Sequence, residues 1–206
     1  MTDDALLSVI QRYVQEPVVD GGRTWALGLW NREEVIAYLA AAERAFIQRT
    51  QVVVGWQLQD YAVGPGSTTL DPEVVEVLAV SVTQNGRGTP CPLVSRHEAD
   101  SLYPGWPTLL DRPRAAIYGE LGTATLTLVP PPNAAGQLHL HVVPLPEPLT
   151  GDGDPLTVGD LWEPFIIAGA LARMFAKPGQ AYNAQRRDRA NALFELGVAL
   201  ALQRTA

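Results

Sequence analysis

Fourteen of the 17 prolines lie between Pro65 and Pro155, and only Pro17, Pro164 and Pro178 lie outside that stretch. Proline locks φ and lacks an N–H, so it interrupts helices and is excluded from inner strands. A chain with this distribution is predicted to keep its helices at its two ends and to fill its middle with short strands and turns. The apolar fraction of 47% over 206 residues is enough for a folded core. No repeat of 20–50 residues is visible.

At the N-terminal end, residues 3–15 place Leu6, Leu7, Ile10 and Val14 on one helical face, and Glu16-Pro17 ends the run. After a loop with Gly21-Gly22, Asn31 and Glu34 have the spacing of a helix cap, and Val35, Leu39, Ala42 and Phe46 continue as a stripe to about Arg49. At the C-terminal end, Thr157-x-x-Asp160 is a second capping signature, followed by the stripe Leu161, Phe165, Ala168, Ala172 and Phe175. Pro164 predicts a kinked or ragged start to that helix. The last helix is predicted from Asn183 to about Gln203, with Ala190, Leu193, Phe194, Gly197, Leu200 and Ala201 on one face.

Between the helices lie strand candidates. Gln51–Leu58 is rich in β-branched residues, and Val74–Thr83 places Val75, Val77, Ala79 and Ser81 opposite Val74, Glu76, Leu78, Val80 and Val82. Ala115–Glu120 and Thr123–Val129 read as a hairpin across Leu121-Gly122. In Gln137–Val143, Leu138, Leu140 and Val142 face in and His139 and His141 face out. The expected fold is α+β: a helical bundle formed by the N- and C-terminal helix pairs, residues 1–50 and 155–206, with an inserted antiparallel β-rich module, residues 51–154.

Charge and composition exclude several functions. Acidic residues outnumber basic ones 22 to 15, which argues against broad nucleic-acid binding. Lys177 is the only lysine and stands in Ala-Lys-Pro-Gly, so no Walker-A phosphate loop exists. Cys91 is the only cysteine, which rules out an intrachain disulfide and fits a reducing compartment. The start Met1-Thr2-Asp3-Asp4 is acidic where a signal peptide is basic, and no apolar run approaches the ~20 residues of a membrane span. The expectation is a protein made in a cytoplasm, with no membrane partner.

Each reactive group has an ordinary structural explanation. His139-x-His141 is a conceivable metal pair, but only His97 remains as a third histidine and no Cys or carboxylate stands at ligand spacing. Ser95 to Asp100 contains Ser, His and Asp, yet adjacency is not triad geometry, and the segment reads as a polar loop or short helix. Gly64-Pro65-Gly66-Ser67-Thr68 reads as a turn. Cys91, between Pro90 and Pro92, reads as an inert loop thiol. Of Trp25, Trp30, Trp56, Trp106 and Trp162, most are expected in the core. No catalytic residue, metal or cofactor is assigned.

The charge is also segregated. Residues 1–172 carry 9 basic and 20 acidic side chains, whereas residues 173–204 carry 6 basic and 2 acidic. Arg173, Lys177, Arg186, Arg187, Arg189 and Arg204 therefore form either a solvated face or a docking surface for an acidic partner.

In order along the chain, several segments resemble the head-to-tail adaptor family of tailed bacteriophages. Trp30 to Leu39 resembles its W-x-x-x-E-[LIV]-x-x-Y-L-N helix, followed by an E-x-x-x-x-T-like run over residues 44–50. Leu70-Asp71-Pro72 and Val74–Val82 resemble its turn and strand. Trp106 with Arg112 to Tyr118 resembles its W…G-x-P-x-x-[YF] segment, Leu126 to Pro132 its L-x-L-x-P-x-P strand end, and Trp162–Arg173 its helix with a terminal Ala-Arg pair. Asp111-Arg112 departs from the pattern, which commonly has glycine before the proline. The resemblance implies a non-enzymatic virion protein at the head–tail junction. Such adaptors form a ring, typically of twelve copies, beneath the portal protein; isolated, they can be monomeric. They continue the channel through which genomic DNA passes, without sequence-specific binding, and they dock the tail nozzle or tail-tube protein. On that expectation Arg173, Arg186, Arg187, Arg189 and Arg204 are interface residues. Two other classes stay open on the residues alone. One is a non-catalytic carbohydrate- or peptide-binding module using Trp56 and Trp106. The other is a small hydrolase or metalloenzyme using His97 or His139 and His141.

Overall fold

The computed structural model describes residues 2–14, 18–19, 24–25, 29–64, 66–119, 124–150 and 153–205. The expected breaks at Glu16-Pro17, Gly21-Gly22 and Leu121-Gly122 lie outside these residues. The chain divides into two compact units, Met1–Val53 with Pro146–Ala206, and Val54–Leu145. The fold is α+β, with helices from both chain ends flanking a β-rich region.

In the helical unit, α1 (Asp3–Val14) and α2 (Arg32–Thr50) come from the N-terminal end, and α4 (Glu163–Ala176) and α5 (Ala184–Thr205) from the C-terminal end. A two-stranded antiparallel ribbon, β1 (Val18–Val19) with β2 (Thr24–Trp25), lies between α1 and α2. The stripes Leu6-Leu7-Ile10-Val14 and Val35-Leu39-Ala42-Phe46 are buried as the periodicity predicts. Asn31 caps α2, its Oδ1 accepting from the Glu34 N–H at 2.7 Å. The Glu34 carboxylate does not reach back to complete a capping box; it receives Lys177 Nζ at 2.7 Å and the Tyr38 hydroxyl at 3.0 Å. Helix α4 packs against α1, α2 and α5 and is apolar almost all round, which is why its burial extends beyond the single stripe read from the sequence, to Ile166, Ile167, Leu171 and Met174. Leu161, by contrast, is exposed. Pro164 is accommodated in the first turn of α4, preceded by a 3-10 turn over Asp160–Trp162. Thr157 does not cap this helix: its Oγ1 accepts from the Glu147 N–H, and Trp162 holds the cap position without a side-chain bond.

Aromatic rings tie the unit together. Phe46 of α2 meets Trp162 at 5.5 Å and Phe194 of α5 at 6.1 Å between centroids. Burying a side chain such as Phe46 stabilises by roughly 1.5–3 kcal/mol. The Arg49–Glu195 ion pair at 2.6 Å, exposed on both sides, adds roughly 0–1 kcal/mol. Packing, not surface charge, holds α2 to α5.

The β unit is a pair of antiparallel sheets. One has the order β3 (Gly55–Tyr61), β9 (Gly136–Pro144), β5 (Val74–Gln84), β6 (Arg87–Cys91); the other has β4 (Ser67–Thr69), β8 (Thr125–Val129), β7 (Ala115–Tyr118). Buried residues of both sheets, among them Val80, Leu140, Leu126 and Leu128, share one core. Pro90 is tolerated because β6 is an edge strand. Two details differ from the sequence pattern. The first strand begins at Gly55 because Gln51, at φ 52°, closes α2 in the left-handed region and its N–H bonds Ile47 O. In β5, register shifts at Val74/Glu76 and Val77/Ala79 change the alternation, so Val74, Val77, Val80 and Val82 all face the core. Ser95 to Leu102 forms a helix, α3 (Arg96–Leu102), with Ser95 and Glu98 in a reciprocal capping box.

Candidate interaction surface

Of the groups that suggested catalysis, Cys91 and His139 have partners within the β unit. Cys91 is buried at the end of β6, and burial pushes its thiol up to about 11, with Arg112 only partly offsetting. A thiol so protonated is a poor nucleophile. His97 sits on α3, while Glu98 beside it is bound to Ser95 Oγ and N–H, each at 2.8 Å. His139 Nε2 lies 3.1 Å from the Thr83 hydroxyl. Among the described residues no three His, Cys, Asp or Glu gather as a metal site. No helix among them is long and apolar enough to cross a membrane.

The tryptophans separate into two kinds. Trp106 is a core residue at 5% exposure, its Nε1–H donating to Asp100 Oδ1 at 2.8 Å, so it is not available to stack a ligand. Trp30 is also buried. Trp56 is 74% exposed on the outer face of β3 and stacks on His141 of β9 at 4.7 Å. Their register pairing puts both on one sheet face, beside Leu58, which is also exposed.

The five arginines of the expected interface are held differently. Arg173 is partly buried and donates to Gly169 O at 3.0 Å and Ala41 O at 3.3 Å, crossing from α4 to α2; burial lowers its pKa. Arg187 pairs with Asp188 at 2.7 Å, and these bonds raise its pKa. The Arg186 guanidinium lies 5.6 Å over Phe175. Arg189 and Arg204 are exposed on α5. Lys177 is drawn inward to Glu34 and Leu29 O, each at 2.7 Å. Burial pushes the Glu34 carboxyl up, but the bonds from Lys177 and Tyr38 prevail and lower it.

The sequence pattern missed a second feature of α5. Leu193, Leu196 and Leu200 are exposed by 43%, 51% and 41%, although Leu193 and Leu200 were expected in the core. The buried side is taken by Phe194, Gly197, Val198 and Ala201. Glycine faces phenylalanine across this contact because the helices approach closely: a Cβ on Gly197 would stand 2.3 Å from Phe165 Cγ, and one on Gly169 would stand 2.6 Å from Phe194.

Fold and surface define an α+β protein whose marked features are exposed faces, not a gathered set of reactive groups among the described residues. The chain belongs to the SU10 adaptor protein family, which it matches over residues 1–206. It is a phage adaptor, consistent with a head-to-tail adaptor, and the family is one of structural phage proteins located in the virion. No curated protein matches the chain.

Proposed function

We propose that the protein is a non-enzymatic connector that assembles as a ring, of twelve copies in the virion, beneath the portal protein and docks the tail nozzle or tail-tube protein. The helical unit, Met1–Val53 with Pro146–Ala206, acts as one building block and Val54–Leu145 as another. The family match over residues 1–206 carries this reading. The segregated charge supports it: a chain with 22 acidic and 15 basic side chains supplies a predominantly acidic channel wall, past which the phosphate backbone slides without sticking. The basic C-terminal stretch, with Arg173, Arg186, Arg187, Arg189 and Arg204, serves as an interface to a neighbouring copy or to the portal. Reversing Arg186, Arg187 and Arg189 together to glutamate abolishes ring assembly on purified portal, read by negative-stain microscopy. Rings of unchanged yield would overturn the assignment.

A binding module is the second reading, favoured by one observation, the Trp56–His141 stack exposed on the sheet face. A flat aromatic surface of this kind suits a sugar ring or a peptide side chain.

A further inference from the structure

We propose that the outer stripe of α5 is the surface on which a second copy of this chain docks, in a head-to-tail contact between unlike faces. The inference rests on the ring reading above and names the surface that would make the ring.

Leu193, Leu196 and Leu200 follow one another at spacings of three and four, so they form one stripe along the 22-residue helix. Arg189 stands four residues before Leu193 and Arg204 four residues after Leu200, extending the same stripe at both ends. Arg186, seven residues before Leu193, lies beside it. The two carboxylates of α5 are engaged elsewhere: Glu195 takes both guanidinium nitrogens of Arg49 at 2.7 and 2.6 Å, and Asp188 takes Arg187. Arg189 and Arg204 have no carboxylate partner among the described residues. The stripe is therefore apolar at its centre and cationic at both ends.

Charge decides what covers it. Two copies meeting by a two-fold axis, α5 against α5, would set arginines at each end of one stripe against arginines of the other, a like-charge contact. An acidic, partly apolar surface fits instead, and the chain carries one. From residue 115 to residue 172 there is no Lys or Arg but six acidic residues, of which Glu163 is buried. In the helical unit this stretch exposes Glu147, Asp160 and, beside Asp160, Leu161 at 59%. A contact between such unlike faces repeats from copy to copy and closes as a ring when the rotation between copies divides a full turn.

The test uses the full chain with Leu196→Cys. The native Cys91 is buried and its thiol is pushed up to about 11, so the introduced thiol is the reactive one. Maleimide labelling is timed for the isolated protein and for the assembly on purified portal, with copy number read by native mass spectrometry. Labelling slows at least about tenfold in the multi-copy assembly if the stripe is covered. Leu196→Glu, at an exposed position, keeps the helical circular dichroism and melting temperature of the parent but weakens assembly at least about tenfold. Multi-copy rings in which the thiol still reacts at the isolated rate would overturn the proposal and leave the ring reading standing. Protection in a complex holding a single copy would overturn it in favour of the portal as occupant. Failure to form any multi-copy assembly would remove the ring reading as well.

Discussion

Glu43 of α2 has no exposed surface, and its Oε1 accepts from the Thr157 N–H at 2.5 Å and the Val158 N–H at 3.2 Å. It fastens the segment before α4 to α2, so one side chain joins parts of the chain 114 residues apart. Burial raises its pKa above 4.5, and the two N–H bonds only partly offset this. A carboxyl whose pKa is raised by folding stabilises most where it is protonated, and that contribution is lost as pH rises through the folded value. The stability of the parent protein relative to Glu43→Gln therefore rises as pH falls from neutrality toward 4.5, checked by urea midpoints across that range. Glu43→Ala leaves two N–H groups without an acceptor and lowers stability by about 1–3 kcal/mol. At the same scale, the sequence distinguished poorly between Trp56 and Trp106. Both are tryptophans preceded by a glycine, Gly55 and Gly105, and only the partner Asp100 separates a core ring from an open one.

Element positions were legible where one periodicity ran unbroken. Helices α1 and α2 announce themselves because each buries one stripe, and β9 because Leu138, Leu140 and Val142 alternate with its histidines. Legibility failed where a local irregularity resets the phase, as the register shifts do in β5. It failed again in α5, where hydrophobicity is a poor guide to which side is buried. Close approach to α4 sets Gly197 against Phe165 and Phe194 against Gly169, and the leucines are left outside. Gly197→Ala tests this. Alanine favours a helix over glycine by about 1 kcal/mol. Its Cβ would stand 2.3 Å from Phe165 Cγ and 2.5 Å from Phe165 Cβ, atoms near the base of the side chain that cannot swing aside. Overpacking of that kind costs about 1–3 kcal/mol, so the clash wins and the melting temperature falls by several degrees in a thermal scan.

For the whole molecule, the segregation of charge is visible in the sequence, but how the arginines are held is not. Arg173 and Arg187 have local or internal partners, whereas Arg189 and Arg204 point the basic end outward. If that end meets acidic surface on another copy, association weakens with salt. Raising ionic strength from about 0.05 to 0.5 M, which shortens the screening length severalfold, lowers the association constant by about tenfold in sedimentation equilibrium. A flat response would assign the contact to the leucines alone. The lysine at this end serves a different purpose. Lys177 is the one lysine of the chain, and its ammonium is clasped between the Leu29 carbonyl and the Glu34 carboxylate. Amine-directed fixatives and couplings therefore find a single side-chain handle, already used to fasten the C-terminal end of α4 to the entrance of α2. Chemistry aimed at lysine side chains reports on that clasp and leaves the outer stripe of α5 unmarked.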